Sequence, residues 1–144
     1  MKKKLKFLIG FIMMLGIVVG CTENVKSFDD KNLLFKVVDS QTNNELKSNI
    51  IEITNETGFD LDNLSLKISY PLHTSNDKSE RKIVESIKKF RIKSNESKEI
   101  SISIPIETDT TSLEIDVKGD VMIDKDKEMP FEIGGTLKTL TDIP

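Results

Sequence analysis

The chain is poor in several residue types that carry chemistry. It has one Cys, one His, no Trp and one Tyr among 144 residues. A single Cys excludes an internal disulfide framework and a cysteine zinc cluster. A single His excludes a His-rich metal centre. The shortage of Trp and Tyr leaves few aromatic platforms on which sugars or bases would stack. Arginine is also scarce: Arg81 and Arg91 are the only two among 21 basic residues. No nucleophile elbow, glycine-rich phosphate loop or His-Glu-x-x-His helix occurs. No apolar run reaches the roughly 20 residues that a membrane-spanning helix needs.

What is present divides the chain unevenly. The first 20 residues carry Lys2, Lys3, Lys4 and Lys6 and no acid. Without those four lysines, 17 basic residues face 24 acidic ones, a net charge of −7. A body of that sign repels nucleic acid. At 16.3 kDa the length suits one domain, and 37% hydrophobic residues provide for a modest core. Residues 1–20 read as a signal peptide, with a positive n-region followed by the 13 uncharged residues Phe7–Val19. Val18-Val19-Gly20-Cys21 follows at the end of that run and resembles the lipobox of bacterial lipoproteins. The resemblance implies that Cys21 carries a diacylglyceryl thioether and becomes the first residue after cleavage. Two acyl chains, at about 0.8 kcal/mol per buried CH₂, anchor stably where one is marginal. The expected location is the outer face of the cytoplasmic membrane, facing the wall in a Gram-positive cell. Residues 21–31 then read as the lipidated Cys and a polar tether.

From residue 32 to 144 the dominant period is two. Ile100, Ile102, Ile104 and Ile106 alternate with polar residues, as a half-buried strand requires. Leu64, Leu66, Ile68 and Tyr70 repeat the pattern, and Leu33, Phe35 and Val37 give another run. Gly58 ends the segment Asn55-Glu56-Thr57-Gly58 and is free to take φ > 0. Short, regular spacing of the turn signals predicts an all-β, immunoglobulin-like antiparallel β-sandwich of about seven strands, preceded by the signal-peptide helix. Leu113–Ile123 and Met129–Ile133 predict a long hairpin. Centred on Asp126, it would set Gly119 opposite Gly134 and Gly135 and kink there. Pro130 predicts an irregular start or an edge position for the return strand. Residues 77–93 read two ways. Asp77-Lys78-Ser79-Glu80 has the form of a capping box, whereas Phe90-Arg91-Ile92-Lys93 alternates; a strand over about Ser86–Lys93 is the preferred reading.

The segment from Asn49 to Ile106 resembles immunoglobulin-like accessory domains of bacterial envelope proteins, of which FxLYD-type and CARDB-type domains are examples. The shared grammar is a strand ending in Asn55-Glu56-Thr57-Gly58, a second strand Leu61–Ile68, and the polar turn Ser94-Asn95-Glu96-Ser97 before a third. The Phe-x-Leu-Tyr-Asp string itself is absent. The resemblance implies a binding or accessory role and no activity.

Three groups of residues are candidates for chemistry or binding. Lys89, Arg91 and Lys93 would line one strand face about 6.6 Å apart, in a segment whose seven cations and two acids give a local charge of +5. Such a stripe would suit lipid headgroups, wall polyanions or an acidic protein; it would equally protect a sheet edge. Asp124, Asp126 and Glu128 have the spacing of a weak cation site, but intervening lysines dilute the field. His73, in the polar loop Leu72–Ser79, is either a solvated loop residue or the base of a Ser/His/Asp site. The leading expectation is a non-enzymatic, cofactor-free lipoprotein binding an envelope protein or an anionic wall polymer. An immunity lipoprotein acting against a secreted toxin and a small envelope hydrolase using His73 are the alternatives.

Overall fold

The computed structural model describes residues 26–72 and 80–141. Residues 1–20, expected to form a signal-peptide helix, and Cys21 and His73 lie outside the described residues. Seven strands form two antiparallel sheets: β1 (Leu33–Thr42), β2 (Leu46–Asn55), β3 (Asp60–Pro71), β4 (Arg81–Ile92), β5 (Ser97–Pro105), β6 (Glu114–Asp124) and β7 (Lys127–Thr136). One short helix, α1 (Leu137–Thr141), follows β7. The three-stranded sheet has the order β1-β2-β5 and the four-stranded sheet the order β4-β3-β6-β7. This is the predicted immunoglobulin-like sandwich, with β4 paired to β3 rather than to β5.

Alternation builds the core. Leu33, Phe35, Ile51, Ile53, Ile100, Ile102 and Ile104 are buried on the inner face of the smaller sheet. Leu61, Leu64, Leu66, Ile68, Ile92, Ile115, Val117 and Val121 are buried on the larger one. Each fully buried Leu or Ile contributes about 1.5–3 kcal/mol. Ile106 departs from the predicted ladder: β5 ends at Pro105, and Ile106 is 47% exposed. Within the segment 77–93, Arg81–Ile92 form a strand, which begins earlier than expected; residues 77–79 lie outside the described residues.

Several strand irregularities interrupt the period, three of which decide how surface residues are placed. In β1, Val37 pairs with Ile51 and Asp39 with Ile50, leaving Val38 as an extra, exposed residue. In β3, Asn63 has φ 49° and lies in a bulge against β6. In β4, Lys89 has φ 59°, and it falls between Lys88, opposite Ser65, and Phe90, opposite Leu64. A left-handed conformation at a non-glycine residue costs about 1–2 kcal/mol, so the surrounding packing has to hold both.

The β6–β7 hairpin exists, but the expected glycine pairing does not. Gly119 pairs with Phe131, and Gly134 pairs with Asp116. The turn is two residues, Lys125-Asp126, and not a five-residue polar tip, so the register shifts. Gly119 instead faces the β3 bulge: a Cβ there would lie 2.6 Å from Leu64 Cδ2 and 2.8 Å from the Asp62 carbonyl oxygen. Pro130 sits in β7, an edge strand, as its missing N–H demands.

Residues 26–31, expected as part of the tether, are docked on the sandwich. Phe28 packs against the core, with its ring 5.3 Å from Phe131 and 6.4 Å from Phe59. Lys26 Nζ donates to the Gly58 carbonyl at 3.2 Å. Asp29 caps a 3-10 turn, Asp30–Asn32, that leads into β1. One aromatic residue in a polar run is enough to dock the segment, because its partners come from elsewhere in the chain.

Candidate functional site

Two surfaces and one buried hub define where this sandwich could act. The outer face of the four-stranded sheet is crossed by rows of polar and charged side chains. Register places Lys88, Ser65, Lys118 and Glu132 in one row, and Ser86, Lys67, Asp116 and Gly134 in the next. Lys118 Nζ lies 2.8 Å from Glu132 Oε1, and Lys67 Nζ lies 3.2 Å from Asp116 Oδ2. The carboxylate of Glu132 raises the affinity of Lys118 for its proton. Near the start of β3, Arg91 is paired with Asp62, its Nε donating to Asp62 Oδ2 at 3.1 Å. The Arg91 hydrogen bond, reinforced by the Asn63 amide, lowers the pKa of Asp62 below the usual carboxylate value. Asn63 Nδ2 also donates to Asp120 Oδ2 at 3.0 Å.

These contacts change the predicted basic stripe. The bulge at Lys89 shifts the parity of β4, so Lys88 and Arg91 occupy the outward rows. Arg91 is already engaged by a carboxylate, and Lys93 lies just past the strand end. Arg81 is engaged too: Nε is 2.7 Å from Glu114 Oε2, and the guanidinium donates to the carbonyls of Ser69 and Ser112 at 3.1 and 3.0 Å. Lys98, on β5, reaches across to β4, its Nζ lying 5.5 Å from the Phe90 ring centroid. The surface is therefore mixed in charge where an unbroken period predicts a line of cations.

Asp124, Asp126 and Glu128 do not converge. Asp124 Oδ1 accepts from the Lys125 amide at 2.8 Å, all three side chains are exposed, and they are spread around a two-residue hairpin turn. Among the described residues no three His, Cys, Asp or Glu side chains are grouped to hold a metal ion.

The second surface is a cleft of about 580 Å³ between the free edge of β1 and α1, lined by Leu34, Val37, Asn49, Thr110, Leu137 and Leu140 among others. Asn49 is buried at its inner wall, accepting from Ser40 Oγ at 3.0 Å and donating to the Lys47 carbonyl at 3.3 Å. Thr136 starts α1 by accepting from the Thr139 amide, and Leu137 N donates to the Leu113 carbonyl at 2.7 Å. Nearby, the Thr111 hydroxyl and then the Thr111 amide lower the pKa of Asp109. Four segments distant in sequence make this cleft, so no local pattern announces it.

The hub is Asn55, which is fully buried. Its Nδ2 donates to the carbonyls of Phe59 and Ile92 at 2.8 and 3.1 Å, and its Oδ1 accepts from the Thr57 hydroxyl and amide at 2.7 and 3.2 Å. Its backbone N–H donates to Glu96, and its carbonyl accepts from Asn95. The Asn-x-Thr-Gly string is thus a structural knot joining two turns. Gly58 has φ 80° and Asn95 φ 62°, which complete the two turns it binds.

No family model matches the chain, and no curated protein is similar to it. Among solved structures, a β-glucosidase from Kluyveromyces marxianus superposes with a TM-score of 0.38 at 9% identity, over 72% of this chain and 14% of that one. β-Glucosidase 3B from Thermotoga neapolitana, in complex with glucose, gives a TM-score of 0.38 at 15% identity over 73% of this chain and 16% of that one. The chain therefore spans only a small fraction of those enzymes, and at such scores the likeness bears on neither ligand nor activity.

Proposed function

We propose that this chain is a lipid-anchored, extracytoplasmic binding or accessory protein of the cell envelope, and that it is not an enzyme. The observation that carries the reading is Val18-Val19-Gly20-Cys21, where the single Cys of the chain stands at the end of a 13-residue apolar run. Thioether lipidation of Cys21 would hold the sandwich at the bilayer through two or more acyl chains. Among the described residues no helix is long and apolar enough to cross a membrane.

The partner class follows from the charged rows. Arg81 and Arg91 are satisfied by Glu114 and Asp62, and Lys67 and Lys118 by Asp116 and Glu132. Alternating signs at strand spacing suit a protein surface with its own alternating charges better than a wall polyanion, whose repulsion from Asp62, Asp116 and Glu132 offsets its attraction to the lysines. The test has two parts. Mass spectrometry of the N-terminus from the native host should find Cys21 acylated, and Cys21→Ser should release the protein from membranes. Lys88→Glu with Lys93→Glu should leave retention on wall polyanions unchanged at low and high salt. An unmodified Cys21 thiol in a cytosolic protein overturns the reading.

A further inference from the structure

The strand directions sort the loops to two ends of the sandwich. Leu33 pairs with Asn55, Thr54 with Ser97, Leu61 with Ile92, and Asp60 with Met122. One end therefore holds the docked segment from Lys26 to Asn32, the β2–β3 turn, the β4–β5 turn and the β6–β7 hairpin tip. The other holds the β1–β2 turn around Asn44, the β5–β6 crossing and α1. β3 alone is 12 residues long, which at about 3.3 Å per residue sets the two ends roughly 40 Å apart.

The chain enters this body at the first end and is held there. Lys26 Nζ bonds Gly58, and the Phe28 ring lies between those of Phe59 and Phe131. Only residues 22–25 separate Lys26 from Cys21. At roughly 3.3–3.6 Å per residue, that connection reaches at most about 18 Å, less than half the length of the body. Two apolar side chains also project at this end: Ile123 is 40% exposed, and Met129, opposite Val121, is 36% exposed. Lys26, Lys125 and Lys127 stand beside them. Residues 26–32, 56–59, 93–96 and 124–128, which make up this end, carry five lysines against seven carboxylates, so attraction to anionic lipid does not orient it.

We infer that the sandwich stands on the bilayer by the end bearing Lys26 and the β6–β7 tip, with lipid headgroups as the contact of that tip, and that the Asn44 end points away. The inference rests on lipidation of Cys21. It is the short connection, not surface charge, that sets the orientation, so the orientation is the same on neutral and anionic bilayers.

The test uses the full-length lipidated protein in vesicles of phosphatidylcholine, with and without phosphatidylglycerol. A thioether at Cys21 leaves no free thiol, so Lys125→Cys and Asn44→Cys each accept one fluorophore. Flotation with the vesicles comes first. Headgroup-attached nitroxide should quench the label at position 125 severalfold more than the label at position 44, equally in both lipid mixtures. Equal quenching at the two positions, or stronger quenching at 44, overturns the orientation while leaving the anchor intact. Quenching at 125 that appears only with phosphatidylglycerol overturns the claim that the connection sets it. Failure of the wild-type protein to float overturns the anchor, and the orientation with it.

Discussion

Asn55 Nδ2 donates to the Ile92 carbonyl at 3.1 Å, tying the last residue of β2 in one sheet to the last residue of β4 in the other. The same side chain also orders the β2–β3 turn through Thr57 and Phe59.

Asn55→Ala should be among the most damaging single changes. It removes the side-chain donor to the Phe59 and Ile92 carbonyls and leaves the Thr57 hydroxyl only its longer 3.4 Å bond to Phe59, and an unsatisfied buried group costs about 1–3 kcal/mol. Urea denaturation should show a clear loss of midpoint, whereas Ser101→Ala, on an exposed position of β5, should show almost none. Equal midpoints would remove the hub.

Gly119→Ala and Gly134→Ala should separate. A Cβ at 119 meets the Asp62 carbonyl at 2.8 Å, a backbone atom that cannot yield without disturbing the bulge. Overpacking of that kind costs about 1–3 kcal/mol. At 134 the near atom is Asp116 Oδ1 at 3.0 Å, which can rotate away. Thermal melts of the two variants should differ, with the first lower.

Phe28→Ala should loosen the segment Lys26–Asn32 while the rest of the sandwich stays folded. It removes both ring contacts that hold the segment. Limited proteolysis at Lys26 or Lys31 should become fast, while hydrogen exchange in β3 and β6 stays slow. Unchanged cleavage would mean that the docking does not depend on the ring.

Acid should weaken the fold through two carboxylates. Arg91 and the Asn63 amide lower the pKa of Asp62, and Thr111 lowers that of Asp109, from the ordinary 3.8. A lowered carboxyl contributes stability above its unfolded value and loses it as pH falls through the folded one. Stability should therefore be level from neutrality to about pH 5 and decline below about pH 4. Asp109 is exposed and Asp62 only half-buried, so the decline is shallow. Asp62→Asn with Asp109→Asn should flatten it in urea titrations, and an unaltered acid slope would exclude both groups.

The sandwich is legible in the sequence because Ile100, Ile102 and Ile104, or Leu64, Leu66 and Ile68, alternate without interruption, and because Gly58 and Asn95 are residue types that tolerate positive φ. The surface is less legible. Lys89 has no local reason to turn left-handed, yet its one-residue excess decides which lysine faces outward. The hairpin register misleads for a related reason: five consecutive polar residues conceal a turn that uses two. Docking of Phe28 and the cleft beside α1 depend on contacts between distant segments, which no periodicity encodes.

The bulges at Asn63 and Lys89 lie on adjacent strands and cancel in the β3–β4 register, since Leu61 opposite Ile92 and Ser65 opposite Lys88 are four residues apart on both strands. Removing the codon for Lys89 alone would turn Phe90 and Ile92 outward or leave β3 mismatched. Removing both codons together would restore an even ladder. The two positions are thus coupled through the ladder: deleting both keeps Leu61 opposite Ile92 in step with Ser65 opposite Lys88, while deleting either one alone breaks that step.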